Sequence, residues 1–151
     1  MIKVEDLLSI RVLSYLSEAM VEKFIPITMV TEIKSGAYLY RIDEYARYLY
    51  AVLDGKIALE LEQDSSRTVI VDTITRGRVL GLPAVIDPEI KKYTHHARAM
   101  ENTKLFAWEG DRLEQLFTEN PEIGYLFMRR IARTSHSRLL VRNAQFIEMY
   151  K

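Results

Sequence analysis

Two glycines and the polar run that follows them are the part of this chain best suited to binding an anion. Gly77 and Gly81 bracket a short apolar run, and a turn-sized apolar piece occupies residues 82–86. Glycine ahead of a short helix lets the backbone approach a ligand closely, and free N–H groups at a helix N-terminus attract negative charge. After a break at Asp87-Pro88, residues 91–98 are basic and carry hydroxyl and imidazole groups. We therefore expect a small phosphate pocket here.

Metal chemistry is not expected from the histidines of this stretch. His95 and His96 are adjacent, so in a strand they lie on opposite faces and cannot both reach one ion. No Asp or Glu stands near them at ligand spacing. The sequence therefore predicts no metal site.

Catalytic chemistry is not expected either. The run Ser135-His136-Ser137 lies within a predicted helix, where consecutive side chains point apart instead of converging as a nucleophile and its base must. The chain has no cysteine, which excludes disulfides, thiol nucleophiles and cysteine-ligated metals. We predict that the protein is not an enzyme and has no catalytic residues.

Composition indicates one domain in the cytoplasm. The 151 residues are 48% hydrophobic and 28% charged, and the 21 Lys and Arg balance the 21 Asp and Glu. No global charge points to nucleic acid or to an anionic membrane. No apolar run approaches the ~20 residues that span a bilayer, and the N-terminus carries acids at helical spacing instead of a signal peptide. We expect no membrane partner.

The N-terminal segment predicts two helices. Apolar side chains recur at helical spacing, with charged residues off the stripe. The stripe is Val4, Leu7, Leu8, Val12 and Leu16. Ser17 is a good N-cap for a second helix over residues 18–24, which Pro26 ends.

The central segment predicts about eight short strands. They are rich in β-branched and aromatic residues, are spaced about ten residues apart and are separated by turns such as Asp54-Gly55. They include residues 27–33, 37–40, 47–53, 56–61, 68–74, 94–100 and 104–108. This spacing favours a barrel or jelly roll.

The C-terminal segment returns to helix. After a short helix at 112–117, Asn120-Pro121 starts a helix of roughly 30 residues, about 45 Å long. Ile123, Phe127 and Ile131 can cover the barrel. A second stripe at heptad-like spacing comprises Met128, Ala132, Ser135, Leu139, Arg142, Phe146 and Met149. A small barrel cannot bury both stripes, so we expect a homodimer through this helix.

We thus predict a mainly β fold with flanking α elements, in one domain. N-terminal helices occupy residues 1–25, a jelly roll (double-stranded β-helix) 26–109, and the C-terminal helices, including the dimerisation helix, 110–151.

This order of elements resembles the cyclic-nucleotide-binding domain of the catabolite-activator type over nearly the whole chain. The resemblance is carried by the Gly36 turn, the strand-turn-strand LYAVLDGKIAL at 49–59, and GRVLG at 77–81. Arg98-Ala99 and the NPEIGYLF start of the long helix complete it. It implies a regulatory or sensor module that binds cAMP, cGMP or another small anion and signals through its C-terminal helix.

The same resemblance assigns the ligand-binding residues. The family's phosphate cassette has Gly-Glu, a small-residue helical turn and Arg-Ser/Thr-Ala. Here Leu82 stands at the glutamate position and Tyr93 at the arginine position, while Thr94 keeps the hydroxyl and His95 replaces the alanine. The residues assigned to the ligand are Gly81, Leu82, Pro83, Ala84, Tyr93, Thr94, His95, Arg138 and Arg142. The alternative is that Leu82 and Tyr93 fill the pocket and leave a non-binding dimerisation scaffold.

Two basic features remain open in function. Lys91 and Lys92 either replace the cassette arginine at the pocket mouth or belong to a solvated loop. The arginines of the long helix either reach the ligand, pair with a partner chain or form a nucleic-acid face.

The segment GLPAVIDP…YT is also similar to a prokaryotic subgroup of single-domain members. Because the sequence stops at Lys151, we expect no DNA-reading element and a downstream protein partner instead.

Overall fold

In the part of the chain that the structure describes, eight strands form two four-stranded sheets that face each other as a jelly roll, which confirms the predicted fold class. The computed structural model describes residues 1–87 and 89–151, so Pro88 of the predicted Asp87-Pro88 break lies outside the described residues. The strands are β1 (Met29–Ile33), β2 (Tyr38–Tyr40), β3 (Tyr48–Asp54), β4 (Lys56–Asp64), β5 (Arg67–Thr75), β6 (Val79–Leu80), β7 (His96–Ala99) and β8 (Thr103–Glu109). The helices are α1 (Val4–Leu8), α2 (Glu18–Glu22), α3 (Pro83–Ile86), α4 (Gly110–Glu119) and α5 (Pro121–Glu148), with a 3₁₀ turn at Ile25–Ile27.

The strand order places β5 at a sheet edge. One sheet runs β1-β8-β3-β6 and the other β2-β7-β4-β5. The β4–β5 pair is the longest antiparallel ladder and continues nearly to the hairpin turn after Asp64. Because β5 pairs with β4 alone among the described strands, its outer backbone groups need partners from other elements.

The first helix is shorter than its apolar stripe predicted. It ends at Leu8, and residues 9–16 form turns, although Val12 and Leu16 of the stripe are buried as expected. The Arg11 N–H donates to the Gly77 carbonyl oxygen at 2.8 Å, which draws the chain toward the roll. This long-range bond replaces the helical hydrogen bond that the stripe alone would favour. The predicted N-cap is confirmed, because the Ser17 hydroxyl accepts from the Met20 N–H.

Aromatic side chains fill the core where the helices meet the roll. Trp108 is fully buried, and its indole N–H donates to the Thr28 hydroxyl at 2.7 Å. The Phe127 ring of α5 lies 5.9 Å from the Phe24 ring and 4.9 Å from the Phe117 ring. These contacts anchor the start of α5 on the roll.

The long helix is buried over its first half only. Ile123, Phe127 and Ile131 are buried, which confirms the first predicted stripe. In the described stretch 132–151 no residue is buried. Leu139 and Phe146 of the second stripe are each 55% exposed. No helix in the described part of the chain is both long and apolar enough to cross a membrane.

A close backbone approach fixes where α4 begins. A Cβ on Gly110 would lie 2.1 Å from the Ala84 carbonyl oxygen and 3.0 Å from its carbonyl carbon. Glycine is therefore the residue that lets α3 rest against the start of α4. This contact positions the central stretch of the sequence, since α3 lies within it.

Candidate ligand-binding site

Gly81 makes the turn into α3 that the sequence predicted. Its φ is +84°, a conformation that L side chains rarely adopt. A Cβ there would also lie 2.9 Å from the Tyr48 carbonyl oxygen and 3.2 Å from a Tyr93 ring carbon. The glycine therefore lets the chain pass between a strand and an aromatic ring.

The α3 turn that follows is largely packed. Leu82 precedes the helix and Pro83 occupies its first turn, and both are half-buried. Ala84 is fully buried, and the Leu82 side chain packs against the core. Leu82 thus contributes apolar packing at the position that the sequence resemblance assigns to the cassette glutamate.

Tyr93 is part of a buried aromatic stack. Its ring lies 3.6 Å from the Tyr40 ring, at an interplanar angle of 10°, and the two residues are 4% and 5% exposed. Its hydroxyl donates to the Tyr48 carbonyl oxygen at 2.7 Å and accepts from the Tyr48 N–H at 3.1 Å. Burial raises the pKa of this hydroxyl, so it stays protonated and keeps donating. The position that the sequence resemblance assigns to the cassette arginine thus holds a buried ring, whose hydroxyl is hydrogen-bonded to β3.

The structure separates the two adjacent histidines. His96 is buried. Its Nδ1 accepts a hydrogen bond from the Ile42 N–H, and its Nε2 lies 3.0 Å from Glu62 Oε1. His95 lies in the bend immediately before β7 and is half-buried. His95 also approaches the long helix, where Arg142 and Arg138 act on its charge.

Thr94 lies beside His95 at the surface. Its hydroxyl is 3.1 Å from His95 Nδ1, and the residue is exposed. Lys91 turns away from the pocket and pairs with Asp111 and Glu114 of α4 at 3.2 and 3.4 Å, while Lys92 is exposed. Neither lysine replaces the cassette arginine in this arrangement.

The environment of His95 makes stability depend on pH. Burial lowers its pKa below the ordinary value of 6.5, and the guanidinium groups of Arg142 and Arg138 lower it further. The unfolded chain therefore binds the proton more tightly than the folded one. This contribution to the free energy of unfolding is fully present above pH ~6.5 and is lost as the pH falls through the folded-state pKa.

We expect urea unfolding between pH 7.5 and 5 to show this loss, and we expect His95→Gln to flatten it. His136→Gln, on an exposed position of α5, is the matched control and should leave the pH dependence of the free energy of unfolding as it is in the wild type. If this pH dependence persists in His95→Gln, groups other than His95 cause it.

Two arginines tie α5 to the roll. Arg138 Nη2 donates to the Val79 carbonyl oxygen at 2.7 Å, and Arg142 Nη2 donates to the Val71 carbonyl oxygen at 2.8 Å. Arg138 Nε also lies 3.5 Å from Asp72 Oδ2. Burial and the neighbouring Arg78 lower the Arg138 pKa. The Val71 carbonyl group, on the edge strand β5, thus accepts its hydrogen bond from Arg142 of the helix.

A groove of about 820 Å³ lies between β5 and α5. Its floor includes apolar side chains of β5, and its walls carry six arginines: Arg11, Arg78, Arg130, Arg133, Arg138 and Arg142. Among its described lining residues Asp72 is the one acid. Arg138 and Arg142 line this groove, whereas Gly81, Ala84 and Tyr93 do not. The ligand residues assigned from the sequence therefore fall into three sets: Gly81–Ala84 and Tyr93 are packed, Thr94 and His95 lie toward the surface, and Arg138 and Arg142 line an open, positively charged groove.

Asp72, Arg78 and Arg11 are the groove residues that sequence reasoning did not single out. Asp72 was one acid within a strand that was otherwise apolar or hydroxyl-bearing. A charged residue in such a strand is a signal for a polar contact, but it does not indicate which distant element supplies that contact.

The family model of the cyclic nucleotide-binding domain matches residues 30–120, more than half of the chain. The chain belongs to the cyclic nucleotide-binding domain family. This match covers the roll, the glycine turns and α3, so the resemblance seen in the sequence is confirmed.

Structures of this family share the fold. A protein of Geobacter metallireducens described as a cyclic nucleotide-binding protein superposes with a TM-score of 0.79 at 24% identity, covering 92% of this chain and 99% of that one. The catabolite activator protein of Thermus thermophilus gives 0.74 at 17% identity, covering 89% of this chain and 62% of that one.

One curated relative is much longer. Neuropathy target esterase sws of Drosophila willistoni is 28% identical over 121 residues. The match covers 76% of this chain and 8% of the esterase. The similarity is thus to a small part of that protein.

Proposed function

We propose that this chain is a regulatory module that binds a small anionic effector between the roll and α5 and transmits binding through that helix. The groove between β5 and α5 is the observation that carries the proposal. It is open, it is lined by arginines, and two of these reach from the helix to backbone carbonyls of the roll. An anion that competed for these guanidinium groups would act directly on the contacts that hold the helix.

Membership of the cyclic nucleotide-binding domain family supports a nucleotide or a related anion as the effector. The packed group of residues argues against an unchanged cassette. An arginine–phosphate pair contributes roughly 1.5–3 kcal/mol. The resemblance assigns Tyr93 to the position of that arginine, and the Tyr93 ring is stacked on Tyr40. We therefore propose that cAMP or cGMP, if bound, depends on contacts other than those of the family's arginine and glutamate.

The second candidate function is a non-binding scaffold. The Tyr40–Tyr93 stack is the observation that favours it, because both rings are buried and fill the space next to Gly81. In that case the module would serve protein association alone, and no small molecule would stabilise it.

A thermal-shift panel separates these two functions. It should contain cAMP, cGMP, a cyclic dinucleotide, linear nucleotides and small organic acids. A ligand present at a hundred times its Kd adds about 2.7 kcal/mol to the free energy of unfolding, which raises Tm visibly. A raised Tm supports the effector module, whereas a flat panel over well-folded protein supports the scaffold.

Transmission through α5 has its own readout. The chain lacks cysteine, so a single Ala144→Cys substitution gives one labelling site near the end of the helix. An effector that moves the helix should change the signal of a spin or fluorescent label there. A bound effector with no change at this position would contradict transmission through α5.

We also propose that a second copy of the chain covers the exposed stripe of α5. At 100° per residue, Leu139 and Phe146 lie on the side of the helix opposite Ser137 and Val141, which line the groove. Both stripe residues are more than half exposed. Pairing with a second copy would bury them and leave the groove open.

Sedimentation of the purified protein should give about twice the chain mass of 17.6 kDa. Leu139→Glu should shift the mass toward one chain, because a carboxylate in an apolar helix–helix contact is costly to bury. Ala144→Glu adds the same charge on the groove side and should leave the dimer intact. A monomeric wild-type protein would exclude this arrangement.

A further inference from the structure

The groove between β5 and α5 carries more positive charge than one phosphodiester can neutralise. Six arginines line it and one carboxylate faces them, among the residues that the structure describes there. A cyclic mononucleotide has a single negative charge. A ligand that neutralises the charge of this groove therefore carries several negative charges.

The inner end of the groove shows the imbalance in detail. Asp72 Oδ2 lies 3.5 Å from Arg78 Nη2 and 3.5 Å from Arg138 Nε, so two guanidinium groups share one carboxylate oxygen. Both distances are long for a charge-assisted hydrogen bond. Arg138 Nε is buried and has no hydrogen-bond partner in the described structure. A buried donor left in this way favours an additional anion.

The remaining arginines extend the charge along the helix. Arg130 and Arg142 are twelve residues apart, which is about 18 Å along an α-helix. Arg133 lies between them and is exposed. The positive charge thus forms a track along α5 instead of one point, and an extended chain of anionic groups matches a track.

The groove also has an apolar floor. Val71 and Val79 contribute to it next to the inner arginines, and Val141 lies on the helix side. A volume of about 820 Å³ is within the range of pockets that hold small organic ligands. A ligand with an apolar, planar part and a run of phosphates would use both surfaces.

We propose that this groove binds a ligand of the nucleoside polyphosphate class, with its phosphates on Arg78, Arg138 and the arginines of α5, and its base on the valine floor. The proposed anion site thus lies in the groove between β5 and α5 and not in the cassette loop at Gly81–Thr94. This inference rests on the proposed function, because it names the effector class and its place.

Calorimetric titration at physiological salt tests the proposal with ATP, inorganic tripolyphosphate, AMP and cAMP as probes. We expect ATP to bind more tightly than AMP or cAMP by tenfold or more, because the additional phosphates meet additional arginines. Tripolyphosphate should bind more weakly than ATP if the base uses the apolar floor. Equal affinity for the two would assign the site to the phosphates alone and remove the base from the proposal.

Two variants locate the site, and a third controls for charge. Arg78→Gln should weaken ATP binding at least tenfold, and Arg133→Gln, at an exposed position, at least threefold without affecting folding. Arg129→Gln removes the same charge from the same helix outside the groove and should change affinity less than twofold. If Arg129→Gln weakens binding as much as Arg133→Gln, the attraction is general and the proposed site is wrong.

The outcomes also separate this inference from the proposed function. If cAMP binds in preference to ATP and Arg78→Gln leaves its affinity unchanged, the groove inference fails and the effector module stands. If ATP binds the groove but a label at position 144 does not respond, the groove inference stands and transmission through α5 fails. If none of these four probes binds, the groove inference fails, and the thermal-shift panel decides on the effector module.

Discussion

Replacing Tyr93 by alanine is expected to lower the free energy of unfolding by about 3–5 kcal/mol, the range for deleting a large buried aromatic side chain. The ring is 4% exposed and stacks on Tyr40 at 3.6 Å, so its removal leaves a cavity between Tyr40 and the Gly81 turn. The Tyr48 N–H and carbonyl groups also lose their partner. Urea denaturation of the variant measures the change.

Two control variants separate the contribution of the Tyr93 hydroxyl from that of its ring, and the loss of a buried tyrosine from the loss of an exposed one. Tyr93→Phe keeps the ring and removes the hydroxyl, so it should cost about 1 kcal/mol for the half-buried backbone groups of Tyr48 that lose a hydrogen-bond partner. Tyr45→Ala removes a tyrosine that is 61% exposed and should change stability by less than about 0.5 kcal/mol. If Tyr93→Ala were as harmless as Tyr45→Ala, the Tyr40–Tyr93 stack would not contribute to the stability of the fold. A rise in the Tm of Tyr93→Ala when cAMP is added would then show that the space next to Gly81 is open to a ligand.

Replacing Gly110 by alanine is expected to cost about 3 kcal/mol, at the upper end of the usual range for overpacking. The new Cβ would lie 2.1 Å from the Ala84 carbonyl oxygen, and backbone atoms cannot move aside as a flexible side chain can. Either α3 or the start of α4 must shift. Chemical shifts of the Leu82 and Ala84 amides should therefore change along with the unfolding midpoint.

Gly36→Ala is the matched control for this variant. Gly36 has a φ of +87°, and a Cβ added there would have no neighbouring atom within 4 Å, so alanine meets conformational strain alone, about 1–2 kcal/mol. It should leave the α3 amides unchanged. Equal losses in the two variants, or an undisturbed α3 in Gly110→Ala, would contradict the steric argument.

Local chemistry made much of this fold predictable. Ser17, Asp54-Gly55 and Asn120-Pro121 each mark a cap or a turn through their own side chain or backbone, and all three stand where the sequence placed them. The stripe Ile123, Phe127 and Ile131 likewise depends on helical spacing alone. Features decided within a few residues can be recognised without knowledge of the rest of the chain.

Features decided between distant segments were not predictable in this way. The first helix ends at Leu8 because Arg11 bonds Gly77, a partner 66 residues away that no periodicity reveals. Asp72, Arg78 and Arg138 meet because β5 and α5 pack side by side. The substitution at Tyr93 was visible in the sequence, but its stacking on Tyr40 needed the three-dimensional arrangement.

The half-buried helix α5 has a mechanical consequence. Its contacts with the roll extend to Arg138 and Arg142, and the six residues that follow Arg142 up to Glu148 continue for about 9 Å beyond it. With Arg142 as the pivot, a tilt of roughly 10° would move the end of such a rigid arm by about 1.6 Å. Displacement grows in proportion to distance along the arm, so the same tilt is least visible in the roll and greatest at the helix terminus.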